Sequence, residues 1–164
     1  MEFINMISEI VKNNKNIKIF LDMDGTIVEN IFNIEKSYEK KGEYIKKRPI
    51  KPIIEQINKI KENYEYVEIN ILSYSISNEM AKEKNQWLDM YMPNIKTENR
   101  IFLIKENGEF NNDNIYKVKS EYIKKNISKD EIAILIDDDN RILSESLKIL
   151  GNHVIPIHVT SLLI

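Results

Sequence analysis

Ile17-Lys18-Ile19-Phe20-Leu21-Asp22-Met23-Asp24-Gly25-Thr26 reads as a short, mostly apolar strand that ends abruptly in an acidic turn. In an isolated strand the carboxylates of Asp22 and Asp24, two positions apart, point the same way. Packed closely they repel, and a cation is needed to offset the cost. Gly25 lets the backbone adopt positive φ and come close to a phosphate. Successive N–H groups around such a glycine form an anion nest, and Thr26 can bond either the loop or the phosphate. A plain Asp-Gly turn would also be polar, but it does not account for an apolar strand feeding straight into it.

The same arrangement recurs downstream. Glu131 to Ile136 is an apolar strand that ends at Asp137-Asp138-Asp139. If the two strands are neighbours, both acidic clusters arrive at one edge of a sheet. Val67 to Leu72 is a further strand, ending at Ser73; Ile101 to Ile104 and Val154 to Val159 are two more. Helices lie between them. Phe3, Ile7, Ile10 and Val11 share a face over residues 2–13. Pro49 and Pro52 introduce a helix over about 53–63, with Ile53, Ile54, Ile57 and Ile60 on one side. Ser77 caps a helix over about 78–91 whose buried face holds Met80, Trp87, Leu88 and Tyr91. Lys119 to Lys125 opens or forms another, and Arg141 to Leu150 is helical up to Gly151. This alternation specifies an α/β fold with a mostly parallel sheet and helices on both faces. Ligands of such folds bind beyond the carboxyl ends of the strands, at the point where strand order reverses. Residues 1–164 read as one domain; 29–48 show no clean period, and 27–48 read as a small cap or flap within it.

The clustered carboxylates are hard oxygen donors of the kind that suit Mg²⁺. Either cluster alone is as well explained by a solvated acidic turn; the two together, each at the end of an apolar strand, are not. Asp139 either caps the following helix or faces solvent. His153 and His158 have no partner at metal-ligand spacing and read as structural or exposed. Trp87 reads as core. The lysine-rich stretch Lys36 to Lys47 is interleaved with Glu39 and Glu43 and reads as a solvated face.

Taken in order, these residues resemble the motifs of the haloacid dehalogenase (HAD) superfamily in its phosphatase form. Asp22-Met23-Asp24-Gly25-Thr26 is similar to the first motif, Ser73 to the second, Lys119 to the third and Asp137-Asp138 to the fourth, together spanning about residues 17–140. The resemblance implies a three-layer Rossmann-like fold and Mg²⁺-dependent phosphomonoester hydrolysis through an aspartyl-phosphate. Asp22 would be the nucleophile, and Asp24 the acid and then the base. Gly25, Thr26, Ser73 and Lys119 would bind the phosphate, with Lys117 as the competing lysine. Asp22, Asp137, Asp138 and the carbonyl of Asp24 would hold Mg²⁺. Softer likenesses, in Gly42-Glu43-Tyr44, in Lys84 to Leu88 and in the run Ile136 to Asn140, point to the small 5′(3′)-deoxyribonucleotidase-like branch and a nucleoside monophosphate substrate. A sugar phosphate or another small phosphorylated metabolite is the alternative. So small a cap implies an open site, or one closed by homo-oligomerisation. A phosphorylatable signalling receiver also gathers acids, a hydroxyl and a lysine around Mg²⁺, but the Asp-x-Asp-Gly-Thr order does not fit one.

Composition narrows the field further. The 164 residues contain no cysteine, which excludes disulfides, thiolate metal sites and a cysteine nucleophile. Hydrophobic residues make up 42% and charged residues 30%, as in a soluble globular protein. A formal net charge of −2 gives no general attraction to nucleic acid or anionic membrane. No apolar run is long enough to span a bilayer, and the first residues lack a signal-peptide pattern; the reading is cytoplasmic.

Overall fold

The computed structural model describes residues 3–13, 16–30 and 40–163. Its strands are β1 (Ile17–Leu21), β2 (Glu68–Ser75), β3 (Arg100–Ile104), β4 (Ile132–Asp137) and β5 (Val154–His158). The helices are α1 (Phe3–Asn13), α2 (Lys51–Asn63), α3 (Asn78–Tyr91), α4 (Ile115–Asn126) and α5 (Asn140–Leu150). All strand pairs are parallel, in the order β3-β2-β1-β4-β5. This is the expected three-layer α/β architecture, and its sheet is wholly parallel.

The sheet is buried on both faces, and alternation along each strand divides its side chains between two cores. Ile17, Ile19 and Leu21 of β1, with Ile134 and Ile136 of β4, pack against α1, α2 and α3. Phe20, Ala133 and Leu135 point the other way, toward α4 and α5. Both cores use the stripes expected from helical spacing, including Phe3, Ile7 and Val11 in α1 and Ile53, Ile57 and Ile60 in α2.

Strand order reverses between β1 and β4. From β1 the chain steps outward to β2 and β3, then crosses back to β4 and β5 on the other side. The crevice beyond that pair is the binding position that such a sheet dictates. Register makes the placement sharper. Leu21 lies opposite Ile136, so the next residues, Asp22 and Asp137, arrive level with each other.

Several boundaries differ from expectation. β2 runs on to Ser75 because Ser73, Tyr74 and Ser75 continue the ladder against Phe102, Leu103 and Ile104. α4 begins at Ile115, so Lys119 sits one turn inside it. Tyr91, placed on the buried face of α3, is 38% exposed, although its ring packs against Trp87 with centroids 4.7 Å apart. Of the 27–48 segment, residues 31–39 lie outside the described residues. Residues 44–46 form a single 3₁₀ turn.

Candidate active site

Strand parity decides which helix each site residue meets. Asp22 continues the row of Phe20 and Asp137 the row of Leu135, so both carboxylates face the α4–α5 side. There Lys119 of α4 bridges them: its Nζ donates to Asp22 Oδ1 at 2.6 Å and to Asp137 Oδ2 at 2.7 Å. All three residues are buried. Lys117 is exposed, and so the choice between the two lysines falls on Lys119.

Asp138 completes an acidic group. Asp22, Asp137 and Asp138 each offer a carboxylate oxygen within 4.8 Å of the others. Carboxylate oxygens gathered in this way are hard donors of the kind that hold a divalent cation. Three carboxylates face a single ammonium here, and the surplus negative charge suits a divalent cation. The same surplus shows in their titration. Burial, opposed by Lys119 but reinforced by Asp137 and Asp24, raises Asp22 to a pKa of about 7. Burial and then Asp137 raise Asp138. Lys119 rises above its ordinary value because the attraction of Asp22 and Asp137 outweighs the cost of burial.

The turn after β1 is locked by its own backbone. The N–H groups of Thr26, Ile27 and Val28 all donate to the Met23 carbonyl, at 3.1, 2.9 and 2.9 Å, and Gly25 N–H donates to the Val28 carbonyl at 2.8 Å. Gly25 therefore offers the site its missing Cβ rather than a free N–H. Its φ is +80°, and a Cβ added there would lie 2.2 Å from Asp138 Oδ2. The glycine permits both the turn and the close approach of Asp138. Thr26 is fully buried behind the loop, and its hydroxyl has no hydrogen-bond partner among the described residues.

This turn also separates the two acids of the first motif. They do not point the same way, as they would in an extended strand. Asp24 swings to the α3 side and out of the acidic group, so its carboxylate is not among the candidate metal ligands. It is clamped by two lysines, accepting from Lys47 Nζ at 2.8 Å and from Lys84 Nζ at 2.6 Å. Burial would raise its pKa, but Lys84 and Lys47 together outweigh that and hold Asp24 far below the usual carboxylate range. Lys84 also donates to Ser73 Oγ at 3.0 Å and to the Tyr74 carbonyl at 2.6 Å. Ser73 thus shares one ammonium with Asp24.

Lys47 and Lys84 lie outside the four motifs yet belong to the site. Lys47 belongs to the stretch expected to be a solvated face, yet it is buried. Its burial comes from α3. Glu83 accepts the N–H groups of Gly42 and Tyr44 at 2.5 and 2.9 Å, and Trp87 Nε1 donates to the Lys47 carbonyl at 2.9 Å. Both lysine ammoniums lie over the Tyr44 ring, 4.6 and 4.9 Å from its centroid. Lys84 did carry a signal. It falls midway between Met80 and Leu88 on the apolar stripe of α3, where a solvated lysine has no place. Lys47 carries no comparable mark.

Asp139 and His158 have structural work, while His153 is exposed. Asp139 caps α5, accepting from Arg141 N–H at 2.8 Å. His158 Nε2 lies 3.0 Å from the Asp138 carbonyl, and its Nδ1 lies 2.8 Å from Thr160 Oγ1. Among the described residues, no helix is long and apolar enough to cross a membrane.

Solved structures resemble this one, two of them as follows. A chain in the structure of the Pnkp1/Rnl/Hen1 RNA repair complex superposes with a TM-score of 0.59 at 16% identity, over 87% of this chain and 42% of that one. This chain thus spans less than half the length of that relative. The HAD domain of the effector protein Lem4 from Legionella pneumophila superposes with a TM-score of 0.50 at 16% identity, over 87% of this chain and 86% of that domain. Likeness at this identity shows a HAD-like fold and no more. No protein-family model matches the chain, and no match to it was found among curated proteins.

Proposed function

We propose that the chain is a Mg²⁺-dependent phosphomonoester hydrolase that works through a phosphorylated Asp22. One observation carries this reading: Asp22, Asp137 and Asp138 converge with Lys119 at the carboxyl ends of the adjacent strands β1 and β4, where the strand order reverses. Asp22, Asp137, Asp138 and the Asp24 carbonyl would hold the cation, which would offset the negative charge of the acids and of the phosphate.

The protein's own groups then divide the work. Asp22 is the nucleophile: an oxygen of its carboxylate attacks phosphorus, and the bond from phosphorus to the ester oxygen breaks. Lys119 holds the nucleophile in place and neutralises charge beside it. Ser73 and Lys84, already joined by a hydrogen bond, bind phosphate oxygens, and the Thr26 N–H helps close the loop on the Met23 carbonyl. Asp24 stands next to the leaving group. Without substrate its two lysines keep it ionised. An arriving phosphate dianion competes for Lys84 and raises the Asp24 pKa by like-charge repulsion, so that Asp24 takes up a proton from solvent and passes it to the leaving alkoxide. Once that proton has gone, Asp24 is a carboxylate again, ready to deprotonate the water that hydrolyses the phosphoenzyme.

Within this class the reading favoured by sequence resemblance is a nucleotidase of the 5′(3′)-deoxyribonucleotidase type acting on a nucleoside monophosphate. A sugar phosphatase is the alternative. The test is a panel of phosphomonoesters, assayed on wild type and Asp22→Asn with Mg²⁺ or with chelator. Turnover that needs both Asp22 and Mg²⁺ supports the mechanism. Equal activity of the two proteins overturns it, and a phosphoenzyme that persists in water would indicate a receiver instead. Sugar phosphates turning over far faster than every nucleotide would remove the nucleotidase assignment.

A further inference from the structure

We propose that the cleft next to the acidic centre seats the substrate's leaving group, and that it takes a planar aromatic or heteroaromatic ring. The proposal rests on the phosphomonoesterase reading above and names the substrate class for that same site. The acidic centre opens into a hollow of about 210 Å³. Beside it is a second cleft of about 290 Å³, walled by Tyr44, Tyr74, Ile76, Met80, Phe110 and Ile115. Asp24, Tyr74 and Ile115 line both spaces, so the two are adjacent, with Asp24 on their boundary. That is where the ester oxygen of a phosphate held at Asp22 would lie. Whatever that oxygen carries extends into the second cleft.

The walls of the cleft set the chemistry of its occupant. The Tyr74 and Phe110 rings pack with centroids 4.5 Å apart, and the Tyr74 hydroxyl donates to the Ile115 carbonyl, which fixes the ring between the two spaces. Met80 adds an adaptable thioether edge of the kind that packs well on rings. Ile76 is 42% exposed at this position, an apolar side chain facing solvent beside a polar centre. At the rim Lys105 donates to Asn112 Oδ1 at 3.0 Å, a polar pair within reach of ring heteroatoms. The polar residues of the cleft, Asp24, Ser75, Lys105 and Asn112, already have hydrogen-bond partners, and the rest of its wall is aromatic and aliphatic, a surface on which a ring stacks. The cleft is at the small end of ligand sites, which run from about 300 to 1,000 Å³, so it suits one compact ring system.

The test compares 2-phenylethyl phosphate with n-butyl phosphate, whose alkoxide leaving groups are chemically alike. Wild type, Ile76→Asp and Phe110→Leu are each assayed on both esters with Mg²⁺. The readout is the ratio of the two kcat/KM values on one sample, which does not depend on how much of a variant is folded. Wild type is expected to prefer the ring ester by about tenfold or more, with the ratio falling toward one in both variants. A wild-type ratio near one, or a ratio that neither variant moves, overturns the proposal. If neither ester turns over, the hydrolase reading is judged separately by the phosphomonoester panel, and the cleft is judged by NMR titration of isotope-labelled Asp22→Asn with 2-phenylethyl phosphate. Shifts at Tyr74, Ile76, Met80 and Phe110 uphold a ring-binding cleft; shifts confined to other residues, or none, overturn it.

Discussion

At Gly25 a single hydrogen atom on Cα decides whether the site can assemble. A side chain there would have to tolerate φ of +80° and overlap the Asp138 carboxylate. Gly25→Ala is expected to displace Asp138 and to lower kcat/KM by about 100-fold, the cost of roughly 1 Å of misplacement at a catalytic centre. The check is steady-state kinetics alongside a circular dichroism spectrum that stays native. Asp22 gives a second prediction at this scale, for the metal-free protein. Its pKa of about 7 in the folded state lies above its ordinary 3.8. Between those values the folded state binds more protons than the unfolded chain, so the Asp22 contribution to stability falls as pH rises through that window. Asp24 has the opposite sign: its lysine clamp stabilises the fold above the ordinary carboxylate pKa, and acid removes that contribution. Urea unfolding in chelator, from pH 4 to pH 7, should show wild type losing stability relative to Asp22→Asn. Identical pH dependence in the two proteins would refute the assignment.

Among the elements, α3 does more than cover the sheet. Its inward face presents Glu83, Lys84 and Trp87, which fasten residues 42–47 and place Lys47 against Asp24. The helix is started by Ser77, whose hydroxyl accepts from Met80 N–H at 3.2 Å. Ser77→Ala should cost about 1 kcal/mol, a typical value for losing an N-cap, measurable as a lower urea midpoint with unchanged slope. A loss of several kcal/mol would mean that Ser77 does more than cap. Helix α4 makes the complementary contribution from the other face, carrying Lys119 one turn in from its start. Two helices on opposite sides of one sheet thus hold the two acids of the first motif apart, each with its own ammonium.

For the whole molecule, a divalent cation held at the proposed site would make stability depend on its concentration. The acidic group forms only when β1 and β4 are paired, so a cation bound there stabilises the folded state alone. At a Mg²⁺ concentration 100 times Kd the gain is about 2.7 kcal/mol. For a chain of this size that is a rise in Tm of roughly 5–11 °C. Differential scanning fluorimetry should show this rise in wild type and its loss in Asp137→Asn. A Tm in wild type that ignores Mg²⁺ up to millimolar concentrations would remove the metal site.

Much of this was legible in the chain itself, because the informative signals are local. Apolar runs of strand length ending at Asp22, Ser73 and Asp137, separated by helical stripes, specify a parallel α/β sheet with its acids at one edge. The order of those residues and Lys119 resembles that of a known superfamily. Tertiary structure decided what depends on angle and parity. Strand parity sent Asp22 and Asp137 to the α4 side, and a backbone turn sent Asp24 to the α3 side. Glu83 and Trp87 buried Lys47, a residue whose sequence neighbours are charged and whose partners lie 23 to 40 positions away. Periodicity reports which face of an element is apolar. It does not report which buried polar group on a distant element will meet it, because that requires the two elements to be packed.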